Sequence, residues 1–123
     1  MISTILTLFF LGIGLFSIIT NGFYSISSEG IRYARIQHKE LPQDVTDLNI
    51  KIKVICMFIS GLFLTLCGVS RMIGYSSHAS ISLITMSLFS VYSVFEALYY
   101  MYWRTFGFMS ISIVLFLFIF LGY

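Results

Sequence analysis

A chain of 123 residues that is 59% hydrophobic and only 10% charged, with a mean hydropathy of +0.97, has too few charges to cover a water-facing surface. Each crossing of a hydrocarbon core takes about 20 mostly apolar residues, so four crossings leave no length for a soluble catalytic domain. The formal net charge of +2 is too small for a nucleic-acid footprint, and no nucleic-acid partner is expected.

The first apolar segment covers about residues 2–24. It lacks the basic start and the small-residue cleavage pattern of a secretory signal, so it is read as a retained helix. The polar stretch 25–51 follows, and in it Arg32, Arg35 and Lys39 fall on one helical face ahead of Pro42. A short surface helix ending near Leu41, with these three cations against anionic headgroups, is the expectation. The plainer reading is that they only set topology.

The second span, about 52–73, follows Asp47 and Asn49 as helix-start residues and stops at the turn Gly74-Tyr75-Ser76-Ser77. It carries Cys56 and Cys67, about 16 Å apart at helical rise and therefore unable to bridge. The third span, about 80–103, is rich in serine and has Glu96 as its one formal charge before Arg104. The fourth, about 106–123, is apolar over most of its length and reads as a wall facing lipid.

Lys and Arg are distributed unevenly. Arg32, Arg35, Lys39, Lys51 and Lys53 lie in or beside the first loop and Arg104 in the third, whereas only Arg71 borders the second. The expected fold is thus an all-α integral membrane protein, a single four-transmembrane-helix bundle with both termini on the non-cytoplasmic side. Tyr24, Tyr100, Tyr102 and Trp103 would form its inner aromatic belt, and a bacterial inner membrane or an organellar membrane would be its place.

Glu96 is the candidate site, because a carboxylate within a span costs several kcal/mol unless it is protonated, paired or wetted. Helical steps from it reach Ser93, Phe89, Thr85, Ser82 and His78 in one direction and Tyr100 in the other. Counting about seven residues in from each inner end brings Ser17, Ser60 and Ser112 to similar depth. The expectation is a polar layer of Glu96, Ser93, Tyr100, Ser60 and Ser17, with the carboxyl neutral or hydrogen-bonded and without an evident ionic partner. Such a layer can be a proton, cation or ligand site, or it can be glue between helices. Ser3, Thr7, Gly14, Ser17 and Asn21 on the first helix, and Gly61, Thr65 and Gly68 on the second, are small-residue seams that would let the first three helices touch and leave the fourth peripheral.

Four spans with a polar first loop resemble the small multidrug transporters and the membrane-associated glutathione and eicosanoid enzymes. The former carry their essential carboxylate in the first helix, where this chain has no acid. The arginine-and-asparagine motif of the latter is matched only loosely by Arg32, Arg35, His38 and Glu40, so the chain is assigned to neither family.

No phosphate loop, nucleophile elbow or metal-binding spacing is present, and His38 and His78 are expected on opposite sides of the membrane, so neither a cofactor nor a metal is expected. The leading functional expectation is a non-catalytic accessory or self-associating subunit, with other membrane subunits, a homo-oligomer and the lipid bilayer as partners. The alternative is a small oligomeric transporter or channel working through Glu96. A weaker one is a membrane enzyme acting on a lipid-soluble substrate near Tyr99, Tyr100, Trp103 and Arg104.

Overall fold

A computed structural model describes residues 1–122, and among them the chain forms five helices: α1 (Ile2–Ile26), α2 (Gly30–Gln37), α3 (Asp47–Met72), α4 (His78–Tyr100) and α5 (Trp103–Phe120). Helices α1, α3, α4 and α5 are long and apolar enough to cross a membrane. Leucine, isoleucine and phenylalanine remain exposed on all four.

The boundaries follow local chemistry. Thr46 caps α3, its hydroxyl accepting from the Asn49 amide at 3.3 Å, so this helix starts five residues before the 52 read from hydropathy. At the other end of α3, Gly74 has φ +68°, its N–H bonds the Arg71 carbonyl, and the Tyr75 N–H bonds that of Ser70. This double closure needs a left-handed residue, which glycine supplies without strain. Helix α4 starts at His78, a residue expected in a loop, and it ends at Tyr100 because Met101 turns left-handed (φ 49°). Trp103 therefore opens α5 rather than closing the third span, and Arg104, expected in the third loop, lies in its first turn.

α1 and α3 pack most closely, through the expected seam. A Cβ on Gly61 would lie 2.9 Å from the Gly14 carbonyl oxygen, and one on Gly14 would meet the Thr65 amide nitrogen at 2.6 Å. These backbones are in direct contact, an approach only small residues permit. Ser17 adds a 2.7 Å bond to the Met57 carbonyl across the same seam. Helix α4 leans on α3 and α5 but makes no close backbone approach to α1, so the expected mutual contact of the first three helices is met only in part. Side chains join all four long helices in one apolar cluster of Leu6, Phe10, Leu64, Cys67, Met86 and Ile119, and Ser90 donates across to the Ser112 carbonyl at 3.2 Å.

The segment from α2 to α3 folds back over one end of the bundle, here the loop end. Ala34, Leu41, Val45, Ile50 and Val54 form a second apolar cluster, so this segment is a packed cap rather than a strand of chain lying on a surface. Helix α2 ends at Gln37, four residues short of Leu41. Arg32 pairs with Glu29 at 3.1 Å and Arg35 with Asp47 at 2.7 Å, while Lys39 is exposed beyond the helix and its carbonyl accepts from Arg104. Two of the three expected headgroup cations thus have partners within the chain.

Candidate functional site

Glu96 lies four residues from the end of α4, about 6 Å along the axis and shallower than the sequence-based depth of about 10 Å, because the helix stops at Tyr100. Lys53 lies six residues into α3, about 9 Å from its start, because that helix begins early. The two corrections bring the residues level. The Lys53 Nζ donates to both oxygens of Glu96, at 2.9 and 2.8 Å. Their side chains are 1% and 3% exposed, so the pair has almost no access to solvent. Glu96 thus has an ionic partner, and its expected isolation is corrected.

The pair belongs to a longer chain of contacts. Lys53 also reaches Glu40 of the cap at 3.1 Å, and Glu40 meets the Nδ1 of His38 at 3.2 Å. The other ring nitrogen of His38 lies 2.8 Å from the Asn21 Oδ1 on α1. Asn21 donates from its Nδ2 to the Ser17 carbonyl at 2.9 Å, which assigns the amide and turns its oxygen to the histidine. Both ring nitrogens therefore face oxygen atoms, one on Glu40 and one on Asn21. Lys53 thus stands between the carboxyl groups of Glu40 and Glu96, and His38 lies against Glu40 on its far side.

Burial acts to raise the Glu40 carboxyl, but the hydrogen bond from His38 and the Lys53 charge outweigh it and hold the group at about 2, below the ordinary 4.5. Aromatic faces complete the surroundings of the ammonium, with the Phe108 ring centre 4.3 Å from Nζ and that of Tyr92 at 5.3 Å. Phe108 comes from α5, so all four long helices and the cap contribute to the cluster.

Outside the pair, α3 and α4 leave a lateral cleft of about 570 Å³, with Ile52, Phe95, Leu98 and Tyr99 as its walls and Lys53 and Glu96 reaching its floor. Tyr100 lines this cleft, as its place beside Glu96 suggested. The expected serines sit elsewhere. Ser93 is buried but donates within its own helix to Ser90, Ser60 lines a smaller space beside Thr85 and Tyr92, and Ser17 serves the α1–α3 seam. The Ser93 and Ser17 hydroxyls satisfy backbone carbonyls, and Lys53 takes the place beside Glu96 that the serines were expected to fill.

Lys53, Glu40, His38 and Asn21 were not expected in this site. A signal for Lys53 exists: Asn49, Lys53, Cys56 and Ser60 recur at steps of four, three and four, which is one face of a helix. For His38 and Glu40 the sequence carries no comparable signal, since their burial depends on the cap folding back.

Fold and site together define a small bundle of four span-length helices, joined at one end by a buried ionic cluster. Comparison with protein-family models, curated proteins and solved structures finds no match, so the functional reading rests on this geometry.

Proposed function

We propose that this chain is an integral membrane protein acting by assembly, as a non-catalytic accessory or self-associating subunit, with both termini on the non-cytoplasmic side. The observation that carries this reading is the closed pairing of Glu96. Its two oxygens are taken by Lys53, and Lys53, Glu40, His38 and Asn21 use one another, so the intramembrane acid is spent on holding α3, α4 and the cap together. The cations gathered at the loop end, against Arg71 alone at the other, support the orientation. Outward faces of the helices that expose apolar side chains, and an open α3–α4 cleft walled by Phe95, Leu98 and Tyr99, supply a surface for a neighbouring helix. A photo-crosslinking residue at Phe95, activated in native membranes, is expected to yield a discrete protein adduct. Labelling of lipid alone would refute the reading.

A second reading is favoured by one feature, the continuity of the cluster. Four titratable side chains, linked by contacts of 3.2 Å or less, run from the cleft to the cap, as a proton path in a small transporter would require. Proton flux into liposomes that is lost in Glu96→Gln would select it.

A further inference from the structure

At the end opposite the cap, α3 closes and α4 begins around a pocket of about 340 Å³ lined by Ile2, Ser3, Arg71, His78, Ala79 and Ile119. Arg71 is the chain's only Lys or Arg at this end, and all five acids, Glu29, Glu40, Asp44, Asp47 and Glu96, lie toward the other. Its guanidinium accordingly has no ionic partner among the described residues, unlike Arg32, Arg35 and Lys53. Its Nε and the Nδ1 of His78 are both buried without a hydrogen-bond partner. Buried polar atoms of this kind are normally satisfied, so Arg71 and His78, which both line the pocket, keep hydrogen-bonding capacity that no described residue uses.

The start of α4 adds to the same field. No side chain caps it and no acid stands in its first turn, so its positive dipole end faces the pocket uncompensated. A guanidinium, an imidazole and a helix start suit a tetrahedral oxyanion with several acceptor oxygens. The apolar side chains of Ile2 and Ile119 beside them suit the hydrocarbon part of an amphiphile.

We infer that this pocket binds a phosphate group, carried by an anionic phospholipid whose headgroup sits between Arg71 and His78. This site is separate from the Glu96 cluster and does not depend on the function proposed for it.

The test uses the full chain in phosphatidylcholine nanodiscs, with phosphatidylglycerol or inorganic phosphate as probe and native mass spectrometry and thermal unfolding as readouts. Phosphatidylglycerol is expected to be retained and to raise the unfolding midpoint. Removing one charge-assisted contact in Arg71→Gln should weaken binding about ten- to a hundredfold. Lys51→Gln, which removes an exposed cation at the loop end, should leave it unchanged. His78→Gln, with Arg71 intact, should weaken binding less, and it serves as the reporter should Arg71→Gln fail to fold. A response to inorganic phosphate equal to that to the lipid supports the anion site and assigns it to the free ion. Wild-type affinity in both Arg71→Gln and His78→Gln, or no response to either probe, would overturn the inference.

Discussion

Replacing Lys53 by methionine removes the ammonium that stands between Glu40 and Glu96 while keeping the length of the side chain. Two carboxylates then face each other in a space where Glu96 is 3% exposed, and one of them must take up a proton or open the cap. Breaking a buried pair in this way costs about 3–5 kcal/mol. Glu96→Gln should cost less, about 1–3 kcal/mol, because Lys53 keeps Glu40 at 3.1 Å. In the double variant the stranded Glu96 charge is gone and Glu40 retains His38, so the loss should fall short of the summed single losses by more than about 1 kcal/mol. Equilibrium unfolding in mixed micelles titrated with sodium dodecyl sulfate measures all three variants. Strict additivity, or a larger loss for Glu96→Gln than for Lys53→Met, would refute the ionic reading of the cluster.

Gly61→Leu should separate α1 from α3, since even a Cβ there stands 2.9 Å from the Gly14 carbonyl oxygen; Gly107→Leu, where a Cβ meets nothing within 4 Å, should leave stability nearly unchanged. Detergent-resistant folding, followed by circular dichroism, distinguishes the two. Stability should also fall at low pH through Glu40. Its folded value of about 2 lies below the ordinary 4.5, so its contribution is complete above pH 4.5 and is lost as the pH falls toward 2. That contribution is on the order of 3 kcal/mol, and Glu40→Gln should flatten the unfolding midpoint across the same window.

Hydropathy made the four long helices legible because about 20 apolar residues in a row have few alternatives. The Gly74 turn and the Gly14–Gly61 seam were equally readable, since both rest on the missing side chain of glycine. Helix ends were not, and the site turned on them. Lys53 read as a cation at the edge of the first loop because hydropathy begins the span at 52, whereas Thr46 caps the helix and sets Lys53 nearly two turns inside it. Glu96 read as deep because Trp103 was counted into its helix, while the left-handed Met101 ends the helix first. An error of a few residues at each end thus hid a pair of opposite charges 43 residues apart in sequence. His38 and Glu40 were hidden for a different reason. Their burial comes from Ala34, Leu41 and Val45 packing over the bundle, a tertiary event that no local pattern announces.

Native mass spectrometry of the full chain, released directly from its own membrane in a mild detergent, tests the central claim that it works by assembly. The account predicts a defined complex, either copies of this chain or this chain with a second subunit, and predicts that Lys53→Met reduces it as the cap loosens. A monomer carrying only lipid, from a membrane in which the protein is intact and folded, would contradict it.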